Sequence, residues 1–429
     1  MPAVRSNRQL LVALALAGAA HLVTFLALQP RLQPWYFERD VGIERNAWNP
    51  LITDATTYGN LAADLLREGS YTSEGRPHTT HMPGTAWLMA LSKRTVGHLG
   101  LFGAVEAAIL LLGTFVYASA AARLHGPGVA ATAMFLFLVQ PLVLFSSWTV
   151  NSDAIHVGCF LAFLALASRS TPHLRAACGA GGLLGLSCYF REVALADAIG
   201  AAVGLARGRR PGSRRTGALF LGAFLLTLAP WVTRNLRAGA GPLLTTSKAP
   251  EIFFTCSFGL TLRDVNPFDI DEGGALSLAD VNTRAAARLA EDGFGPDRPA
   301  DDAYFIGAGL ANYVAHPLAQ AQSFVIKAGN LFRPPIARRH LIGFLPGGAA
   351  TAGWAVLALE HLLLIGVGLY VLVRRSPPAA GALGGALVGT LVVSMAIWTE
   401  PRYLVPFYLP LTVLAVDALA TRWRRREPA

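Results

Sequence analysis

Ten apolar runs of near membrane-spanning length, laid end to end over most of the chain, constrain its fold more than any other feature. A helix rises about 1.5 Å per residue, so roughly 17–25 apolar residues cross a bilayer core. Runs answering that description fall at 9–29, 100–122, 128–147, 151–168, 176–190, 193–206, 216–236, 350–373, 379–399 and 403–421. The fifth and sixth are short for spans. Of 429 residues, 53% are hydrophobic and 14% charged, against about 25% charged in an ordinary soluble domain, so a soluble fold is excluded. The sequence therefore predicts an all-α polytopic membrane protein.

The net charge of +10 would suggest nucleic acid if it were spread over a surface. It is concentrated instead. With ten spans, both termini and alternate loops share one side, and that side carries Arg5, Arg8, Arg123, Arg169, Arg175, Arg207, Arg209, Arg210, Arg214, Arg215, Arg374, Arg375, Arg422, Arg424, Arg425 and Arg426 against a single acid, Glu427. The remainder of the chain is net negative. By the positive-inside rule this side is cytoplasmic. Fusing the fifth and sixth runs would put Arg169 and Arg175 opposite Arg207–Arg215, so the charge pattern separates them at Arg191–Glu192. The basic excess reads as topology and as contact with anionic lipid, with no nucleic-acid partner. The first run follows Arg5 and Arg8 but lacks a small-residue cleavage site, which makes it a retained anchor. Glycines at 179, 181, 182, 381, 384 and 385 would let neighbouring helices approach closely.

Two long loops, 30–99 and 237–349, fall on the other, outer side, and divide the chain into a first membrane module with its loop (1–236), an outer helical loop (237–349) and a second membrane module (350–429). Loops longer than a connection needs are where function concentrates. In the first, Ala55–Arg67 has helical spacing, with Asp54 at the N-cap position. Pro83-Gly84 opens a short apolar helix over Thr85–Leu91. In the second, Asp301–Leu331 reads as a long helix at the membrane surface, broken at His316-Pro317.

The residues able to do chemistry gather on this side. Asp54 is both a cap and a carboxylate fixed at a helix start, suited to deprotonating a hydroxyl. Asp153, after Asn151-Ser152, opens the fourth run, where an acid also favours the helix dipole. Arg191 and Glu192 form a very short link between runs. Arg234 and Arg402 stand at outer helix ends, where an arginine anchors at the interface or grips a phosphate. His78 and His81 form an HxxH that is compatible with a divalent metal shared with Asp54 or Asp153, although no third ligand accompanies them in sequence. Glu106, Asp197 and Glu360, inside runs, need partners or a cavity, while Asp417 lies near the inner end. The four cysteines, Cys159, Cys178, Cys188 and Cys256, lack metal or disulfide spacing. There is no Walker loop, no GxSxG and no dinucleotide fingerprint.

Taken in order, Asp54-Ala-Thr-Thr-Tyr58, Gly69-Ser-Tyr71, Pro83-Gly84-x-x-Trp87, Asn151-Ser-Asp153, Arg191-Glu192, Pro230-Trp231-x-x-Arg234-Asn235, His316-Pro317 and Glu400-x-Arg402-Tyr403 resemble the GT-C superfamily of polyprenyl-phosphate-sugar-dependent glycosyltransferases, in the branch of protein O-mannosyltransferases and lipid A aminoarabinose transferases. The resemblance spans nearly the whole chain through individually degenerate motifs. It implies a lipid-phosphate-sugar donor, an acceptor hydroxyl on a glycan, lipid or protein of the cell envelope, and an inner- or plasma-membrane enzyme working on the outer face. It places the family's base on Asp54, a second acid on Asp153, and a phosphate contact on Arg234, joined by Arg402; Tyr58, Arg191, Glu192 and Glu400 are further candidates. The family's Asp-Glu pair is Asp54-Ala55 here, and a family Lys-Pro is Met82-Pro83. A transporter or lipid flippase would instead show paired repeats and midplane charges; a non-catalytic assembly protein with a degenerate transferase fold is the other alternative.

Overall fold

A computed structural model describes residues 2–36, 55–73, 76–79, 81–146, 152–168, 174–208, 212–239, 248–259, 279–295, 300–332, 347–375, 380–396 and 401–424. Asp54 and Glu400 lie outside the described residues. The described chain is helical apart from one two-residue hairpin, Thr72–Ser73 paired antiparallel with Arg76–Pro77 (β1 and β2). The helices are α1 (Pro2–Tyr36), α2 (Ala55–Glu68), α3 (Gly84–Val96), α4 (Gly100–His125), α5 (Pro127–Leu138), α6 (Pro141–Ser146), α7 (Asp153–Ala167), α8 (Leu174–Cys188), α9 (Ala194–Ala206), α10 (Ser213–Arg237), α11 (Lys248–Cys256), α12 (Ala279–Glu291), α13 (Asp302–Ala315), α14 (Pro317–Phe332), α15 (Gly347–Arg375), α16 (Ala380–Ala396) and, after a 3-10 turn at Pro401–Leu404, α17 (Val405–Arg424).

Every one of the ten apolar runs contains helix. Five described helices are long and apolar enough to cross a membrane: Arg8–Ala27, Gly100–His125, Ser213–Arg237, Thr351–Arg375 and Arg402–Trp423. Five more, α5, α7, α8, α9 and α16, are apolar but shorter. The chain is an integral membrane protein by this measure.

Three boundaries depart from the sequence reading. The run 128–147 is two helices, because Pro141 supplies no amide and turns the chain before it; Gln140 donates its backbone amide to Phe137 instead of continuing the helix. The first helix continues past Pro30 and Pro34 to Tyr36, since each internal proline removes a single hydrogen bond and a long helix tolerates that. The helix opened by Gly84 runs on to Val96 and stops at Gly97, which takes the left-handed conformation and donates to the Lys93 carbonyl. The separation at Arg191–Glu192 is real: α8 ends at Cys188 and α9 starts at Ala194.

The chain forms two compact units. The first comprises Met1–Arg234, Leu364–Gly389 and Val405–Ala429; the second, Asn235–Leu363 and Thr390–Leu404. In the first, α4 packs against α7, and α5 packs between α1 and α17. Lipid tails are as apolar as the helices, so association depends on close packing. At α4–α7 the backbones touch: a Cβ on Gly113 would lie 2.1 Å from the Gly158 carbonyl oxygen. Small residues perform the same office between α9 and α16, where a Cβ on Gly385 would lie 2.1 Å from the Gly200 carbonyl. Of the other glycines noted in the sequence, Gly181 and Gly381 make such approaches, whereas Gly384 faces open space. A train of rings, Phe407–Phe160–Phe163–Phe220, with centroids 4.9, 5.5 and 5.4 Å apart, fills the interior.

In the second unit α11 packs on α12 and α13. Asp301 caps α13 by accepting from the Tyr304 amide at 2.8 Å, and the helix breaks at His316-Pro317 as proline requires. Helix α14 buries more polar than apolar residues. Gln320, Ser323, Lys327 and Asn330, at helical spacing, are buried, while Leu318 and Val325 are 86% and 74% exposed.

Candidate functional site

The described parts of the first loop seat on the turn after α8 and on the end of α10. Helix α2 packs on α3 and on β1. Tyr58 of α2 is only 2% exposed and sets its ring edge-on to His81 at 5.6 Å. Gly84, the first residue of α3, donates its amide to the Tyr189 carbonyl at 2.8 Å. A Cβ there would lie 2.6 Å from that oxygen, so only glycine lets the loop seat on the 189–193 turn. Trp87 of α3 stands 6.1 Å from Tyr189 and 6.3 Å from Trp231 of α10.

Arg234 closes this arrangement. One guanidinium nitrogen donates to the His78 carbonyl and another to the Tyr71 carbonyl, each at 2.6 Å, and the cation lies over the Trp231 and Tyr71 rings at 4.9 and 5.7 Å. The sequence reading gave Arg234 to a lipid phosphate; in the structure, two of its donors hold the backbone on either side of the hairpin. Tyr71 donates its hydroxyl to the His81 carbonyl at 3.3 Å. Burial raises the Tyr71 phenol above its usual range, the nearby Glu192 charge adds to the rise, and Arg234 opposes it. That coupling draws Glu192 into the same neighbourhood.

His78 and His81 are stacked at 5.3 Å, with His78 Nε2 3.1 Å from His81 Nδ1. One ring donates to the other, so both nitrogens are engaged with each other rather than turned to a shared ion. Burial, followed by His81 and Arg234, pushes His78 down to about 4, which keeps it neutral. Among the described residues no group of three or more His, Cys, Asp or Glu side chains converges as a metal set. Asp54, which the sequence reading set beside the HxxH as a possible co-ligand, lies outside those residues.

Asp153, the first residue of α7, and Arg191, from the α8–α9 turn, form a buried ion pair at 2.6 Å. Each residue is 6% exposed. A carboxylate whose oxygen is taken by a guanidinium in a closed space is poorly placed to abstract a substrate proton; it is suited to fixing α7 to the turn. One helical turn deeper, His156 Nδ1 meets the Ser187 hydroxyl at 2.6 Å, and Nε2 lies 3.5 Å from Asp197. Serine, histidine and aspartate in a row suggest a nucleophile, but all three are buried, so the row joins α7, α8 and α9. Glu106 on α4 is fully buried as well, and neither carboxyl oxygen has a hydrogen bond among the described residues. Asp417 meets His125 at 3.2 Å.

Arg402 belongs to the second unit, in the 3-10 turn after α16, half-buried. The structure thus unites Tyr58, His78, His81, Asp153, Arg191, Glu192 and Arg234 in one unit and places Arg402 in the other. Sequence reasoning missed Tyr71 and Trp231 as members of the cluster, since an aromatic near a membrane interface looks like a bilayer anchor. It also missed Lys327, whose signal was the polar repeat at 320, 323, 327 and 330.

No protein-family model matches the chain, and no curated protein matches it either. Solved structures do. The oligosaccharyltransferase AglB from the archaeon Archaeoglobus fulgidus, in complex with an inhibitory peptide and a dolichol-phosphate, superposes with a TM-score of 0.50 at 16% identity, covering 96% of this chain and 50% of its own. The chain thus spans about half the length of that relative. ArnT from Cupriavidus metallidurans, bound to undecaprenyl phosphate, gives a TM-score of 0.41 at 15% identity, covering 96% of this chain and 77% of its own, too loose a superposition to add to the comparison. At such identities the likeness is one of fold alone, shared with that oligosaccharyltransferase.

Proposed function

We propose that the protein is a membrane glycosyltransferase that moves a sugar from a polyprenyl-phosphate donor to an acceptor hydroxyl on the outer face of the inner or plasma membrane. The observation that carries the reading is the built first loop. Helix α2 starts at Ala55, directly after Asp54, and is held against α3 and a hairpin that Arg234 locks in place. A carboxylate that directly precedes such a helix in sequence is suited to proton abstraction in a displacement. The shared fold supports this reading, and the lipid phosphate named with AglB supplies the donor class.

In this reading the acceptor hydroxyl gives its proton to Asp54 as its oxygen bonds to the anomeric carbon. The bond from that carbon to the phosphate oxygen breaks, and the polyprenyl phosphate leaves with the electron pair. A single displacement inverts the anomeric configuration. Arg402, which the resemblance sets beside Arg234 at the phosphate, is assigned to the departing charge, by charge-assisted hydrogen bonds.

Purified protein incubated with labelled polyprenyl-phosphate sugars and cell-envelope acceptors should yield glycosylated acceptor of inverted configuration and free polyprenyl phosphate. Movement of the lipid across vesicle bilayers with no transfer would replace this reading with a flippase. The outer-face assignment has its own check: reporter fusions after Arg215 and after Arg375 should read cytoplasmic, and fusions within 260–300 should read external.

A further inference from the structure

Helix α16 ends at Ala396, and the last carbonyls of any helix lack partners within it and carry the negative end of its dipole. Two side chains from other helices take up those carbonyls. Lys327 of α14 donates its ammonium to the Met395 carbonyl at 2.8 Å, and Tyr313 of α13 donates its hydroxyl to the Ala396 carbonyl at 2.5 Å. Neither contact is a surface accident. Lys327 is 0% exposed, and burying an amine is costly unless a specific acceptor repays it. Tyr313 is held by Phe253, which stacks on it at 5.2 Å and 16°.

The same helix that carries Lys327 also packs against the 3-10 turn holding Arg402. Four polar residues share its buried face with Ile326 and Leu331: Gln320 donates to the Ser257 carbonyl, Ser257 accepts from Asn312 of α13 at 3.1 Å, and Asn330 lies one turn beyond Lys327. Apolar residues would have packed α14 more cheaply. A polar face with defined partners instead fixes its rotation and register against α11, α13 and the end of α16.

We propose that Lys327 and Tyr313 are positioning residues: by clamping the C-terminal carbonyls of α16 they set where Arg402 presents its guanidinium to the lipid phosphate. The inference rests on the proposed role of Arg402 and adds the device that aims it. Neither residue touches the donor in this scheme. The ammonium suits the position because a cation is favoured at a helix C-terminus, and the phenol suits it because its apolar ring packs while its hydroxyl reaches the last carbonyl.

The test is a double-mutant cycle on the full-length purified protein, read as binding of a fluorescent polyprenyl phosphate in detergent and as donor KM against kcat. Lys327→Met and Tyr313→Phe keep the bulk of each side chain. Each should weaken polyprenyl-phosphate binding and raise donor KM about tenfold, mid-range for residues coupled through one hydrogen-bonded network, with kcat much less affected. In an Arg402→Ala background the same substitutions should add nothing. Equal losses with and without Arg402 would overturn the clamp while leaving the role of Arg402 intact. Unchanged binding in Arg402→Ala alone would overturn both, by removing Arg402 from the phosphate. Tyr313→Phe, which deletes one oxygen, decides the matter where Lys327→Met does not fold.

Discussion

Two arginines of the first unit are held by the protein in different ways. Arg191 is buried against the Asp153 carboxylate in a side-chain pair that ties the start of α7 to the α8–α9 turn. Arg234 stands at the end of α10, half-buried, and gives its donors to the backbone carbonyls of Tyr71 and His78. The first satisfies a charge in the interior, where an unmatched partner is expensive. The second orders a loop, where losing the contact frees a segment without exposing a buried charge. Outer arginines that look alike in sequence thus divide into one that holds helices and one that holds the hairpin packed on α2.

The difference makes predictions of unequal size. Arg191→Met should be the most destabilising, by about 3–5 kcal/mol, because it strands the Asp153 carboxylate in a closed space. Thermal unfolding in detergent measures it, and Asp153→Asn added to Arg191→Met should recover most of the loss. A single variant as stable as the parent would show that the pair does not fasten the helices. Arg234→Ala should cost less, about 1.5 kcal/mol, at the low end for hydrogen bonds from a charged group. Its effect should be local, as faster amide exchange over 71–78 with the spans unchanged. Unaltered exchange combined with weaker polyprenyl-phosphate binding would return Arg234 to the phosphate role expected from sequence.

The loop also makes stability depend on pH. His78 is held near 4 in the folded loop, chiefly by burial, against about 6.5 in an unfolded chain. Between those values the unfolded state binds the extra proton, so stability rises with pH across the window and is lost as pH falls from about 6.5 toward 4. His78→Gln should flatten that part of the stability–pH curve. An unchanged curve would mean the imidazole is not buried as described.

How far the sequence anticipated this depends on what each feature needed. Helices α4 and α10 follow from length and apolarity alone, and the α8–α9 separation follows from arginine counts on either side of Arg191-Glu192. The break at His316 follows from Pro317. The splitting of 128–147 also follows from a proline, at 141, but apolar residues on both sides of it hid the break. The pairing of Asp153 with Arg191 was not legible, because each residue alone reads as an ordinary helix-end charge and only the packing of α7 on α8 brings them together. His78 and His81 were singled out by HxxH spacing alone, and what the sequence did not show is that the two rings stack on each other. Lys327 was written into the polar repeat of α14, which a search for apolar stripes passes over.

The central claim is that Asp54 is a base at the head of α2 and not merely its cap, and Asp54→Asn tests it most directly. Asparagine is nearly the same size and caps a helix as well as aspartate does, but it carries no charge and takes no proton at neutral pH. The variant should keep its thermal stability and its affinity for polyprenyl phosphate while losing sugar transfer altogether. A stable Asp54→Asn variant that still transfers sugar at near the parent rate would contradict it and leave Asp54 only its capping role.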